Sequence, residues 1–203
     1  MVNINFVGGK YQETSLSVAS AMGHKEVVHL LLAKGADPNK VDISDGYTAL
    51  HKAASQGHKD VVQLLLERGA NPDAQSNYGY TAIHKAADEG HKKVVKLLLN
   101  RGVDPNVGTK YGDTVLHRAT ISGHKDVVQL LLERGANLNA QNNYGCTALH
   151  GAAVCGQKEV VKLLLDKGAN PKTLNNHGDT PLQIAASSCQ EGHRAVVEIL
   201  SKY

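Results

Sequence analysis

The sequence predicts an all-α solenoid, a fold in which about six short helix-turn-helix repeats stack in a row. First, the stretch HKDVVQLLLERGAN occurs twice without a difference, at 58–71 and at 124–137. Second, threonines that precede apolar segments recur at steps of 34, 33, 33, 33 and 33 residues, namely Thr14, Thr48, Thr81, Thr114, Thr147 and Thr180. Third, a unit of this length cannot bury its apolar faces alone, whereas a row of copies can.

Each repeat contains the signals for two helices and a turn-rich connection. In the third repeat, Thr81 is a suitable N-cap for a first helix, and Gly90 supplies the left-handed residue that ends it. A second helix is predicted from about His91 to Asn100, ended by Gly102. Its apolar residues cover well over half of its circumference, so it must be packed on several sides. The following segment VDPNVGTKYGD is rich in turn-forming residues.

Composition and charge exclude several classes of protein. The 203 residues include 22 basic and 19 acidic side chains, a net charge of +3, and the two signs alternate along the chain. This balance predicts no nucleic-acid binding, because a phosphate backbone requires a basic stripe. No apolar run approaches the ~18 residues of a membrane span, so we expect no membrane insertion. The N-terminus lacks the basic and apolar regions of a signal peptide.

The three cysteines are expected to be free thiols. Cys146, Cys155 and Cys189 are odd in number and form no CxxC motif, which is typical of a reducing compartment and predicts a cytoplasmic protein. A bond between Cys146 and Cys155 is not expected, because about two turns of helix hold their α-carbons beyond the ~7 Å limit for a disulfide.

The best-formed repeats resemble the ankyrin repeat. They read GYTALHKAASQGHKDVVQLLLERGANPD, GYTAIHKAADEGHKKVVKLLLNRGVDPN and GCTALHGAAVCGQKEVVKLLLDKGANPK. The resemblance implies antiparallel helix pairs joined by β-hairpin-like loops, with the first helices and the loop tips forming a concave, partner-binding surface. It predicts an N-terminal segment at 1–13 and a single ankyrin-repeat domain at 14–203, with repeats at about 14–44, 45–77, 78–110, 111–143, 144–176 and 177–203.

The terminal repeats depart from this pattern. Ser17 replaces the histidine of the first helix, and Ser201 replaces a leucine of the last helix, as expected for capping repeats at both ends. In the last repeat, Gly192 lies 36 residues after Gly156, whereas Gly156 lies 33 residues after Gly123. The sequence therefore predicts an enlarged, protruding loop between the two helices at SSCQEG.

The eleven histidines predict hydrogen bonding between repeats rather than metal binding or catalysis. Nine of them occupy two repeat positions, three residues after the capping threonine or directly after the mid-repeat glycine. Within a repeat the two are seven residues apart, about 10 Å along a helix, which is too far for one zinc ion. We found no phosphate-binding loop, hydrolase elbow or calcium-binding motif, so no catalytic residue, metal or cofactor is expected. The adjacent Asp88 and Glu89 suit a solvated helix end rather than acid–base chemistry.

The residues that vary between repeats predict the partner-binding surface. Tyrosines at the loop tips either form this surface, as large side chains that lose little entropy, or pack sideways on the next loop. A row of cations in the first helices either forms a basic strip or shields the alanines beneath it. Apolar residues at otherwise polar positions indicate a binding spot in the C-terminal half. The predicted surface comprises Tyr47, Lys52, Tyr78, Tyr80, Lys85, Asp88, Glu89, Tyr111, Asp113, Arg118, Ile121, Tyr144 and Val154.

These observations predict a monomeric, non-catalytic interaction module for a protein or peptide partner. The alternative is a targeting or regulatory part of a larger enzyme or of a secreted effector, which would then act in a host cytosol.

Overall fold

The computed structural model describes residues 4–8, 12–188 and 191–203, which belong to two compact units. Unit 1 spans Met1–Val103 and unit 2 spans Asp104–Tyr203. The described residues form twelve short α-helices and one small hairpin, six helices in each unit. Each unit is a stack of three helix pairs, so the predicted all-α repeat fold is confirmed.

Unit 1 begins with a two-stranded antiparallel hairpin in which Val7 pairs with Thr14. Its elements are β1 (Val7–Gly8), β2 (Glu13–Thr14), α1 (Ser15–Ala21), α2 (Lys25–Ala33), α3 (Ala49–Ser55), α4 (Lys59–Glu67), α5 (Ala82–Asp88) and α6 (Lys92–Asn100). The first helices α1, α3 and α5 pack in sequence, and so do the second helices α2, α4 and α6. The unit therefore has one layer of first helices and one layer of second helices.

Unit 2 repeats the same arrangement. Its elements are α7 (Val115–Ile121), α8 (Lys125–Glu133), α9 (Ala148–Val154), α10 (Lys158–Asp166), α11 (Pro181–Ala186) and α12 (Glu191–Leu200). The first helices α7, α9 and α11 form one layer, and the second helices α8, α10 and α12 form the other.

The core consists of aliphatic side chains and alanines. Ala53 and Ala54 of α3 are completely buried, and their small size lets neighbouring helices approach closely. Leu65 of α4 and Leu98 of α6 are also completely buried, and burial of one such side chain contributes roughly 2 kcal/mol. The sequence periodicity therefore identified these buried leucines, whereas Leu97 of α6 is half buried and Leu30 of α2 is 57% exposed.

The capping threonines begin the first helices as predicted. The Thr48 amide donates a hydrogen bond to Nδ1 of His51 at 3.1 Å, and the same bond is formed at Thr81, Thr114 and Thr147. In the first repeat Ser17 takes the place of the histidine, and its Oγ accepts the Thr14 amide at 3.1 Å. The histidine therefore satisfies a backbone donor that the first turn of a helix leaves without an intrahelical partner.

The last repeat differs from the sequence prediction. Gly192 lies inside α12 and outside the left-handed region, unlike Gly156, whose φ is +64°. His193 and His58 occupy the same position of their repeats. Helix α12 begins two residues before His193, whereas α4 begins one residue after His58. Residues 189–190 of the expected loop lie outside the described residues. Among the described helices, none is long and apolar enough to cross a bilayer.

Candidate functional site

Five hairpin-like turns, here called fingers, connect consecutive repeats at residues 42–47, 76–80, 109–113, 142–146 and 175–179. Each finger is closed by a hydrogen bond from the amide of its first residue to the carbonyl of its last residue, at 2.8–3.0 Å. In four fingers the side chain of the first residue also accepts amides from the turn; Asn142 Oδ1, for example, accepts the amides of Tyr144 and Cys146 at 3.0 Å. Because the turn satisfies its own polar groups, its tip residue is held in a defined position.

Asparagines join neighbouring fingers within each unit. In unit 1 the Asn77 amide donates to the Asp45 carbonyl at 2.9 Å. In unit 2 the amides of Asn143 and Asn176 donate to the carbonyls of Tyr111 and Tyr144 at the same distance. The side-chain amides of Asn143 and Asn176 donate to the fingers before them at 3.0 and 2.9 Å. This role was not predicted from the sequence, although an asparagine recurs at this position in the spacing of the repeats.

Three predicted tyrosines stand at finger tips and are half exposed. The exposed fraction is 54% for Tyr78 in unit 1 and 43% and 55% for Tyr111 and Tyr144 in unit 2. The tips thus present contact area that the fold itself does not cover.

Two other tyrosines of unit 1 pack against first-helix residues. The Tyr47 ring stacks on the His51 imidazole with centroids 5.2 Å apart, and the Tyr80 ring meets the His84 imidazole edge-on at 5.9 Å. The Lys85 ammonium lies 5.8 Å from the Tyr47 ring centre and 5.9 Å from that of Tyr80. This arrangement brings together Tyr47, Tyr80 and Lys85, three of the predicted residues. Burial, followed by the Asp45 carboxylate, raises the pKa of Tyr47, so its hydroxyl stays protonated.

Lys52 is surrounded by carboxylates of its own unit. Its Nζ lies 3.0 Å from Glu13, 3.5 Å from Asp42 and 3.6 Å from Asp45. Burial alone would lower the pKa of Lys52, but the Glu13 contact and the other carboxylates raise it. Lys52 is therefore part of an internal ion-pair cluster.

Asp42 compensates for the missing histidine of the first repeat. Its completely buried carboxylate lies 2.9 Å from the Ser17 hydroxyl and accepts the Thr14 amide at 3.3 Å. Burial raises the pKa of Asp42, although the Ser17 hydroxyl and the Lys52 charge favour its ionised form. Ser17 and Asp42 thus act together at this cap, and the serine in place of the histidine was the signal in the sequence.

Unit 2 combines polar and apolar predicted residues. The Asp113 carboxylate accepts the Asn142 side-chain amide at 2.7 Å. Half-buried Ile121 packs so closely over Gly151 that a Cβ at that glycine would lie 3.0 Å from Ile121 Cγ1. Val154 is 53% exposed, and Arg118 is partly buried. A small apolar area with a nearby cation therefore lies on the first helices of this unit.

Asp88 and Glu89 stand at the end of α5. Asp88 is the last residue of the helix and half buried, whereas Glu89 follows it and is exposed. Glu89 is therefore solvated, as expected from the sequence, whereas Asp88 is partly covered.

The histidines form two rows of contacts between repeats, as predicted. His51 Nε2 bonds to the Tyr80 carbonyl at 2.9 Å, and His117 and His150 make the same contact in unit 2. In the second row, His58 Nε2 bonds to the Ala21 carbonyl and His91 Nε2 to the Ser55 carbonyl. Burial lowers the pKa of His51 to about 4, with the Tyr80 carbonyl opposing it, and burial also lowers the pKa of His117 and His150.

Two cysteines can be described. Cys146 is half buried and Cys155 exposed, and both are free thiols. Burial raises the pKa of both, and at Cys155 the Arg118 charge partly opposes this effect. Both thiols are therefore protonated at neutral pH and weak nucleophiles. Cys189 lies outside the described residues. Within the described ranges, no three His, Cys, Asp or Glu side chains are grouped as a metal site would require.

The comparison with protein families agrees with this geometry. A family sequence model described as "Ankyrin repeats (3 copies)" matches the chain at residues 16–109, 69–142, 101–175 and 141–203. Ankyrin repeats are in general protein–protein interaction modules and are typically non-catalytic. No curated protein matches the chain. Since overlapping matches cover residues 16–203, the chain belongs to the ankyrin-repeat family.

Proposed function

We propose that the protein is a non-catalytic module that binds a protein or peptide partner through its finger tips and first helices. The observation that carries this proposal is the half exposure of Tyr78, Tyr111 and Tyr144 on turns that are each closed by a backbone hydrogen bond. A tyrosine on a rigid turn loses little entropy when a partner covers it.

The two units offer different chemistry to a partner. The first-helix side of unit 1 carries Tyr47, Tyr80 and Lys85, an aromatic surface on which Lys85 lies near both rings and Lys52 lies 5.5 Å from the Tyr47 ring centre. The first-helix side of unit 2 carries Ile121 and Val154, which are apolar and partly exposed. A partner for unit 1 would supply carboxylate and aromatic groups, and one for unit 2 would supply aliphatic groups.

The expected setting is the cytoplasm. A reducing compartment keeps Cys146 and Cys155 as the free thiols that the structure contains. A monomer is proposed because a protein partner, rather than a second copy, is expected to cover the tips.

Site-specific photo-crosslinking tests the proposed face. A benzophenone amino acid would replace Tyr78, Tyr111 or Tyr144, one at a time, and the crosslinked partner would be identified by mass spectrometry. We expect all three tip positions to crosslink to the same partner, because a bound protein would cover the exposed rings.

Two exposed positions provide matched controls. Gln129 lies on α8 in the second-helix layer, and Tyr203 is a 57% exposed tyrosine at the C-terminus. Neither is expected to crosslink to the partner. Crosslinks from Gln129 or Tyr203 with none from the three tips would show that the partner binds elsewhere.

A further inference from the structure

The second helix of the third repeat is more basic than its counterparts. Helix α6 contains three lysines and no acid, whereas α4 and α8 each contain one lysine and two acids, and α10 contains two of each. Lys93 stands where the other helices carry an acid, namely Asp60, Asp126 and Glu159. Asn100 likewise stands where α4, α8 and α10 carry an acid, namely Glu67, Glu133 and Asp166. The repeats act as internal controls, because helices that carry these acids form the same fold.

The lysines of this face are exposed and lack ion pairs. Within the part of the chain that the structure describes, Lys59, Lys92, Lys93 and Lys96 pair with no carboxylate. By contrast, Lys125 and Lys162 in unit 2 both pair with Glu159. The charge of α6 is therefore not used by the fold.

A groove between α4 and α6 runs beside these lysines. Its volume is about 410 Å³, and its lining combines cations and amides with one apolar side chain: Lys59, Gln63, Lys93, Lys96, Leu97 and Asn100. Half-buried Leu97 supplies the apolar contact. Such a groove matches a peptide segment in which carboxylates alternate with an aliphatic side chain.

We propose that the α4–α6 face, defined by these groove residues and Lys92, is a second binding surface that takes an acidic, leucine-containing protein segment. The carboxylates of the segment bind the lysine ammonium groups, and its aliphatic side chain packs on Leu97. The proposal is independent of binding at the fingers, which lie on other elements of the unit.

A continuous polyphosphate fits this face less well. Asp60 and Glu67 border it on α4, and a nucleic-acid backbone, with a charge every ~1.7 Å of duplex, would run over these carboxylates. Asp60 and Glu67 are about 10 Å apart along α4, so a stretch of about three extended residues, ~10 Å long, fits between them. The charges therefore favour a short acidic peptide over nucleic acid.

Fluorescence anisotropy with a defined peptide tests this proposal. The probe is a fluorescein-labelled peptide of Glu, Asp and Leu, and its control replaces Glu and Asp by Gln and Asn. The main variant combines Lys93→Asp with Lys96→Gln, which are the residues that α4 and α8 hold at these positions, so folding is expected to persist. At about 50 mM salt the variant should bind the probe roughly tenfold more weakly, because two charge contacts are lost and one becomes repulsive.

A variant of equal charge change in unit 2 separates local binding from overall charge. Lys158→Asp with Lys172→Gln changes two exposed lysines in the same way and should alter the affinity by less than about twofold. Lys96→Gln alone is a milder variant and should give an intermediate loss, while thermal unfolding verifies that each variant is folded.

Several results would overturn the proposal. One is that the native protein does not bind the probe saturably. Another is that the native protein binds the Gln/Asn control peptide as tightly as the acidic probe. A third is that the unit 1 and unit 2 variants lose affinity for the probe to the same extent. Tighter binding of single-stranded DNA or of phosphatidylserine vesicles, with the same sensitivity to Lys93, would also overturn it, since the surface would then recognise phosphate.

Discussion

Nε2 of His51 bonds to the backbone carbonyl of Tyr80 at 2.9 Å and so joins the second repeat to the third. Nδ1 of the same ring accepts the Thr48 amide at 3.1 Å, which leaves Nε2 as the protonated nitrogen and the ring neutral. A second proton would have to enter at Nδ1 and would break the bond to Thr48. The cap on the Thr48 amide therefore depends on a neutral imidazole, whereas Nε2 donates to the Tyr80 carbonyl in either protonation state.

Acidification is expected to destabilise the protein by protonating the buried His51 ring. Burial lowers the pKa of His51 from 6.5 to about 4, against opposing effects of the Tyr80 carbonyl and the Asp45 carboxylate and a small supporting effect of Lys85. Between these pH values the unfolded chain binds a proton that the folded chain does not. This contribution to the free energy of unfolding is therefore complete above about pH 6.5 and is lost as the pH falls to about 4. For His51 alone it amounts to about 3 kcal/mol.

Urea unfolding across this pH range measures the effect, and His51→Gln is its control. Glutamine performs the same capping in the last repeat, where Gln183 Oε1 accepts the Thr180 amide at 2.8 Å. Because glutamine does not titrate, the variant should depend less on pH than the native protein. An identical pH dependence in both proteins would contradict the role assigned to His51.

Alanine substitutions at two glycines distinguish the cost of a left-handed backbone from the cost of steric crowding. Gly57 has a φ of +74°, and a Cβ there would lie 2.5 Å from Nδ1 of His91, whereas Gly69 has a φ of +84° with nothing within 4 Å. Gly69→Ala should cost about 1 kcal/mol, the strain of a left-handed residue. Gly57→Ala should cost about 3 kcal/mol, because the histidine of the next repeat must also move. Chemical denaturation compares them, and equal losses would rule out crowding by His91.

Asp42 is expected to stabilise the first repeat. Asp42→Ala should lower the free energy of unfolding by about 2 kcal/mol, because it removes a buried acceptor from Ser17 and Thr14 and a charge from Lys52. Asp42→Asn keeps an acceptor oxygen, as at Asn142, and should cost about 1 kcal/mol. Thermal or urea unfolding provides the measurement. If alanine were as stable as asparagine, the hydrogen bonds to Ser17 and Thr14 would contribute nothing.

The fold followed from local signals in the sequence. Thr81 and Gly90 mark the ends of a first helix through capping and a left-handed backbone, and both rules depend on neighbouring residues alone. The burial of Leu98 followed from the period of the repeat. The exception was Gly192, where the residue type matched the pattern but the backbone adopted a helical conformation.

The polar contacts of the candidate surface were less predictable. Lys52 occupies a regular repeat position, but its partners Glu13 and Asp42 come from β2 and the first finger, and no periodic rule pairs them. Lys85 between two tyrosine rings likewise depends on how the fingers lie over the helices. Repeat spacing identifies which positions face outward, while their pairing depends on side-chain conformations.

The central claim, that exposed finger-tip tyrosines bind the partner, is tested most directly by one triple variant. Tyr78→Ala, Tyr111→Ala and Tyr144→Ala would be combined, and both partner affinity and thermal unfolding would be measured. We expect the loss of about 2 kcal/mol or more of binding free energy, because aromatic anchors dominate such interfaces, with an unchanged melting temperature. A lower melting temperature with full partner affinity would contradict the claim, since the tyrosines would then serve to pack the fingers.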